Sequence, residues 1–157
     1  MPYTIMIVDD EPANVRALRR VFSSEYDVIT AGSGAEALEK LQQEDVAVLI
    51  TDQRMPEMTG IELLKRSVSI RPRMVRIILT GYSDIEALVE AINSGQVYKY
   101  VTKPWSNEDL KLLVRRALEH YENSKRYFEL ELDNQRLLQR LREIQQLASV
   151  TGATEQR

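Results

Sequence analysis

The stretch TIMIVDDEP, residues 4–12, runs from a short apolar segment straight into three consecutive carboxylates and a proline. A brief apolar run that ends in turn and helix-start residues is a strand pattern, and the continuously apolar runs Val46 to Ile50 and Ile77 to Leu79 further along are those of strands covered on both faces, as in a parallel sheet. Pro12 suits the first turn of a helix, where a missing N–H costs nothing. The stretch therefore reads as strand, tight loop, helix, the opening of a parallel α/β unit. Asp9, Asp10 and Glu11 stand at the junction, where like charges repel. Two explanations are open: a solvated turn in which Asp10 caps the helix, or a pocket in which something positive sits among the carboxylates.

Four further runs repeat the strand pattern, at Asp27 to Ala31, Val46 to Thr51, Val75 to Thr80 and Val97 to Thr102. Between them lie helical patterns, so the chain reads as strands joined by crossover helices. Thr59 with Glu62, and Ser83 with Glu86, have capping-box spacing. Gly95, after Asn93 and Ser94, reads as a helix stop. Val15, Leu18 and Phe22 share one helical face, as do Ile85, Leu88 and Ile92, and both stripes belong to the core.

Composition narrows the function classes. With 157 residues, 43% hydrophobic and 29% charged, the chain holds one ordinary domain and a little more. It has no cysteine, which rules out disulfides, thiolate metal sites and cysteine nucleophiles. No apolar stretch approaches the roughly 20 residues of a membrane span, and no charged-then-apolar leader opens it, so a cytoplasmic protein without membrane contact is expected. A net charge of -3, with no convincing basic patch, argues against direct nucleic-acid binding.

After Ser106 the pattern changes, because from Glu108 to about Val150 there is neither glycine nor proline. Leu110, Leu113, Val114, Ala117 and Leu118 would cover the sheet. Beyond them Tyr127, Leu130, Asn134, Leu137, Leu141, Ile144 and Ala148 recur in steps of three and four, the seam of a coiled coil. Asn134 falls at an a position, where a buried amide favours a parallel, in-register dimer because it pairs with its own twin. The alternative is an amphipathic helix folded back on its own domain, and Leu138 and Leu147 widen the stripe in that direction. The expected organisation is residues 1–121 as the α/β domain, 122–150 as a dimerisation helix and 151–157 as a flexible tail.

In an open parallel sheet, ligands bind outside the carboxyl ends of the strands. Asp9 and Asp10 follow the first strand, Asp52 the third and Lys103 the fifth, while Thr80 ends the fourth. Three carboxylates, a hydroxyl and an ammonium would thus gather at one edge. Hard oxygen ligands in that number suit Mg²⁺ or Mn²⁺, and such an ion would relieve the repulsion at residues 9 and 10. Asp52 could then act as a nucleophile toward phosphorus, with Lys103 and Thr80 contacting phosphoryl oxygens. No Walker loop or dinucleotide fingerprint is present, so the phosphate must arrive on another molecule.

The segments VDDEP, LITDQRMPEMTGIELL, ILTGYSD and YKYVTKPW, in that order, closely resemble the receiver domain of bacterial two-component response regulators over about residues 3–121. The resemblance implies a flavodoxin-like five-stranded parallel sheet of order 2-1-3-4-5 with helices on both faces. It implies Asp52 as phosphoacceptor, with Asp9, Asp10 and the backbone carbonyl of Arg54 holding Mg²⁺ alongside it. Thr80 and Lys103 would contact the phosphoryl group, and Tyr100 would change rotamer together with Thr80. A cis bond between Lys103 and Pro104 is also implied. The donor would be a histidine kinase or a histidine phosphotransfer protein. Such a domain is a switch rather than an enzyme, catalysing only its own phosphorylation and dephosphorylation. Arg54 and Tyr82 stand where members of the family vary, and both are bulky enough to hinder water. Trp105 replaces a commoner phenylalanine, and its indole N–H needs a partner if buried.

A haloacid-dehalogenase-like phosphatase would need a second Asp two residues after its nucleophile, whereas Gln53 and Arg54 follow Asp52. His120, the only histidine, lacks the His-Glu motif of a kinase helix and reads as a surface or seam residue. The expected function is a phosphorylation-activated switch that relays its state through a helical dimer to a downstream output. The other reading is a coiled-coil scaffold carrying a degenerate receiver.

Overall fold

The computed structural model describes residues 3–81 and 85–155, with side chains to residue 151. Ser83, whose capping pair with Glu86 was expected, and Tyr82 lie outside the described residues. The elements alternate as β1 (Thr4–Val8), α1 (Pro12–Phe22), β2 (Asp27–Ala31), α2 (Gly34–Gln43), β3 (Val48–Asp52), α3 (Gly60–Ser67), β4 (Val75–Thr80), α4 (Ile85–Asn93), β5 (Lys99–Thr102) and α5 (Asn107–Glu155). All neighbouring strands pair in parallel, in the order β2-β1-β3-β4-β5. This is the flavodoxin-like topology expected from the sequence.

The sheet is covered on both faces. One core unites Met6, Val8, Leu49 and Ile78 with Leu41, Leu63, Leu64 and Leu88. The other unites Ile5, Ile7, Ile50 and Ile77 with Leu18, Phe22, Leu110 and Val114. Successive strand residues point to opposite faces, so an unbroken apolar run feeds both cores at once. That is why Ile5 to Val8 are apolar without a break.

Two strands begin later than the apolar pattern suggested. Val46 and Ala47 are buried, but the β3 ladder starts at Val48, paired with Ile5 and Val75. Val97 is likewise buried before β5 begins at Lys99. In both places backbone bonding to a neighbour starts one residue after the buried valine, with Ala47 N–H on Thr4 O and Tyr98 N–H on Arg76 O, so the apolar run outreaches the regular ladder.

Caps behave as their chemistry requires. The Thr59 hydroxyl accepts from Glu62 N–H at 3.2 Å. At the end of α4, Gln96 N–H reaches Ala91 O and Gly95 N–H reaches Ile92 O, with Gly95 at φ 81°. Those two bonds form a Schellman motif, which needs a left-handed residue and so explains the glycine. Of the two explanations open for Asp10, helix capping is not realised. The N-cap position of α1 is Glu11, with no side-chain cap, and Asp10 is exposed one residue further out. The Trp105 indole N–H finds Asn107 Oδ1 at 3.2 Å, and His120 stacks on Tyr98 with ring centroids 5.0 Å apart.

The chain divides into two compact units between Tyr121 and Glu122. In the first, Leu110, Val114, Ala117 and Leu118 of α5 are buried in the second core. The second unit is helix, and it continues through Glu155, past the Val150 boundary expected from the sequence. Its apolar side chains are open to solvent: Leu130 is 61% and Leu137 55% exposed, with Tyr127, Leu141 and Ile144 comparable. No helix among the described residues is long and apolar enough to cross a membrane.

Candidate functional site

The carboxyl ends of the strands bring the expected residues together. Asp9 follows β1, anchored by its N–H to Ala31 O at 3.2 Å, and Asp52 is the last residue of β3, paired with Leu79. One carboxylate oxygen each from Asp9, Asp10 and Asp52 lies within 4.8 Å of the others. Lys103 follows β5; its N–H donates to Thr80 O at 2.9 Å, and its Nζ meets Asp52 Oδ1 at 2.5 Å. The bond from Lys103 to Pro104 is cis. Beside the acid pair opens a cavity of about 260 Å³ bordered by Val15, Arg16, Thr30 and Glu36.

Three carboxylates in this cluster face one ammonium, so their charge is only partly compensated. Asp9 is 2% exposed; its Oδ1 accepts from Glu11 N–H at 3.0 Å, but its Oδ2 is buried with no hydrogen-bond partner. Burial raises the pKa of Asp9 above the ordinary carboxylate value, reinforced by the negative charge of Asp52 and opposed by the Glu11 amide and, more weakly, by the Asn14 side chain and the Lys103 ammonium. A native chain seldom leaves a buried carboxylate oxygen orphaned unless a ligand completes it. Three carboxylates around such an oxygen are a hard donor set suited to a divalent ion such as Mg²⁺.

Thr80 is buried, and its hydroxyl donates to Gly81 O at 3.1 Å rather than to Asp52. Tyr100 pairs with Ile78, two residues before Thr80, so both side chains stand on the same face of the sheet. Tyr100 is 36% exposed. Arg54 lies in the loop after β3 with its side chain at the surface. The seam residues Tyr127, Leu130, Asn134, Leu137, Leu141 and Ile144 belong to the helical unit and are described within it.

One residue escaped the sequence reading. Gln53, next to Asp52, is 8% exposed and accepts from α3 twice, through its main-chain O from Gly60 N–H and through Oε1 from Ile61 N–H, both at 2.9 Å. Its own N–H donates to Leu79 O at 3.0 Å. A glutamine after a strand carries no sequence signal of such a role. Gly60 is the trace that could have suggested it: a Cβ there would stand 2.4 Å from Asp52 O, so α3 must start against the Asp52 backbone.

A doubly covered sheet of order 2-1-3-4-5 with an acid cluster and a strand-end lysine defines a receiver, and comparison with known proteins agrees. The chain belongs to the response regulator receiver domain family, whose sequence model matches residues 5–115. It is 38% identical over 152 residues to the hydrogenase transcriptional regulatory protein HoxA of Cupriavidus necator, a match covering 96% of this chain and 32% of that protein. The chain thus spans about a third of that relative, and the alignment extends beyond the receiver into α5. Among solved structures, one described as adenylate cyclase from Rhodopirellula baltica superposes with a TM-score of 0.80 at 33% identity, over 83% of this chain and 97% of that one. A response regulator receiver domain from Clostridium thermocellum gives 0.73 at 28% identity, over 76% and 97%.

Proposed function

We propose that Asp52 is the phosphoacceptor of a two-component switch whose state is carried outward by α5. The observation that supports this best is the Lys103 ammonium on Asp52 Oδ1, set among three carboxylates of which one has an unmatched buried oxygen. Asp9, Asp10, Asp52 and the main-chain carbonyl of Arg54 would hold Mg²⁺ or Mn²⁺. When bound, the ion supplies positive charge for the oxygens of the group in transfer.

The chain's own residues then have defined tasks. An Asp52 oxygen attacks the phosphorus of a phosphohistidine on a kinase or phosphotransfer partner. The P–N bond breaks, and the imidazole keeps its electron pair. Lys103 moves from the carboxylate to a phosphoryl oxygen, where a fixed cation stabilises developing charge. The Thr80 hydroxyl leaves the Gly81 carbonyl for another phosphoryl oxygen, and Tyr100, on the same face, turns into the space released. This reaction sets a state rather than turning over a separate substrate, in keeping with receivers as phosphoacceptor switches.

The switch would alter the surface around α4, β5 and α5, a population shift as large as the difference in phosphoryl contacts between the two states. Residues 1–121 would act as the receiver and 122–150 as a dimerisation helix, with Tyr127, Leu130, Asn134, Leu137, Leu141 and Ile144 forming a parallel seam. Exposed leucines at a and d spacing support this part of the reading. The relatives' names point to outputs as different as transcriptional regulation and cyclase activity. The receiver's part is to bias whichever output its helix meets.

The test is phosphorylation by labelled acetyl phosphate with Mg²⁺. Wild type should retain label in an acid-stable, alkali-labile form, and Asp52→Asn should retain none. Equal labelling of the two would refute the assignment.

A further inference from the structure

We infer that Gln53 is a positioning residue that holds the Arg54 carbonyl in place for the metal, by closing the loop between β3 and α3 with its side chain. The inference rests on the proposed reading of the site, in which the Arg54 carbonyl is a ligand.

The loop leaves the sheet at Asp52 and re-enters regular structure at Gly60. Both ends are tied to one residue. Gln53 fixes the sheet side through its N–H on Leu79 O, one residue before Thr80, and fixes the helix side through the Gly60 and Ile61 amides. Either helix bond alone would leave the loop able to hinge about its backbone. Main-chain and side-chain acceptors on adjacent amides of α3 together remove that freedom. The Ile61 amide is one of the unsatisfied donors of the first helical turn, so the carboxamide also serves as a cap from outside the helix.

Everything between these anchors is constrained rather than slack. Met55 and Met58 are buried, Glu57 takes φ 68°, a strained value for a residue with a side chain, and Met58 N–H turns back to Pro56 O at 2.7 Å. Arg54 lies between two fixed points: its N–H shares a peptide plane with the anchored Gln53 carbonyl, and its own carbonyl shares a plane with the N–H of buried Met55. A main-chain ligand cannot be re-aimed by a side-chain rotamer, so its precision depends on how firmly the loop is closed. Thr59 supplies a useful contrast. Its hydroxyl caps the same helix at Glu62 N–H, three residues away within one segment, and ties nothing across the loop.

Calorimetric titration with Mg²⁺ on the full chain tests this, alongside thermal unfolding in EDTA. Gln53→Met keeps length and apolar bulk but loses the acceptor, and it should weaken Mg²⁺ binding about tenfold. Thr59→Ala should lower the metal-free unfolding temperature by a similar amount yet leave the Mg²⁺ affinity within about twofold of wild type. Hydrogen exchange should show the Ile61 amide losing protection in Gln53→Met only. If Gln53→Met binds Mg²⁺ as wild type does while its Ile61 amide is deprotected, the positioning role is overturned and the site reading stands. If wild type takes up no Mg²⁺, the site reading fails and the inference falls with it.

Discussion

Two buried charges at opposite ends of the sheet have opposite fates. Arg76, near the start of β4, is 6% exposed, and its guanidinium is matched by the Ser67 hydroxyl at 2.8 Å, Met74 O at 2.7 Å and Arg71 O at 2.5 Å. Asp9, just beyond β1, is 2% exposed and leaves one oxygen with nothing. Burial lowers the pKa of Arg76 to about 10, so it stays cationic at neutral pH, at the C-terminal end of α3 where the helix dipole favours it. Burial raises the pKa of Asp9, in the direction of neutralisation. The difference separates structure from function. A buried charge whose partners lie within the chain holds the fold, whereas one left incomplete marks where a ligand belongs.

Arg76→Met breaks the completed side of this comparison and carries the largest expected effect on stability. Methionine fills most of the volume but leaves carbonyls at the α3–β4 junction without their donor. The metal-free and Mg²⁺-loaded forms should both lose about 2–3 kcal/mol, measured by urea unfolding. A change below about 0.5 kcal/mol would mean that the network is incidental.

The helical unit poses the same question for apolar groups. Leu130, Leu137, Leu141 and Ile144 are unmatched within the chain, as the Asp9 oxygen is, and a second copy would match them. Asn134 makes the seam testable. Asn134→Ile should strengthen association by about 2 kcal/mol through the added apolar burial, while loosening the choice of register and oligomer number. Sedimentation equilibrium should show larger species beside the dimer; a variant that stays monomeric would end the coiled-coil reading.

Most of this was legible in the sequence, and the exceptions share a cause. The inner strands β1, β3 and β4 are covered on both faces and so nearly all apolar, while the half-exposed edge strands β2 and β5 were marked by their β-branched runs; all five were thus located without the structure. The acid cluster was legible because a strand-end carboxylate in a parallel sheet has only one edge to occupy. Strand starts at Val48 and Lys99 were not, because Val46 and Val97 are apolar for the core rather than for pairing. Asp10 stayed open between helix cap and ligand pocket, because a carboxylate two residues before a proline satisfies the same pattern whether it faces a helix amide or a ligand. Gln53 left no mark, since its role depends on the distance between two segments that sequence spacing does not give.

The incomplete side of the comparison has its own experiment. A carboxyl whose pKa is raised on folding binds its proton more tightly in the native chain. Its contribution to stability is therefore complete below the ordinary carboxylate pKa and is lost as pH rises through the raised value of Asp9. In EDTA, Asp9→Asn should remove that loss and gain about 1 kcal/mol at neutral pH, with a flatter stability profile across the acid range. Mg²⁺ should reverse the ranking, because only wild type gains from binding. If the substitution destabilises the metal-free protein, then the pocket holds Asp9 by contacts that its orphaned oxygen conceals.

The smallest effect decides the direction of the helices. With Asn134 at an a position, Arg126 falls at g and Glu131 at the next e, and in a parallel pair the g residue of one helix faces that e residue of the other. Both side chains are exposed in the single chain, so each is open to a neighbour. A double-mutant cycle of Arg126→Ala and Glu131→Ala, read from the dimer dissociation constant, should give a coupling of about 0.5 kcal/mol per helix pair that fades in high salt. Antiparallel packing sets g against g and would bring Arg126 no such partner. Zero coupling in a dimer that still depends on Leu130 and Leu137 would reverse the helices, and with them any route by which Asp52 at the sheet edge could set the register of the seam.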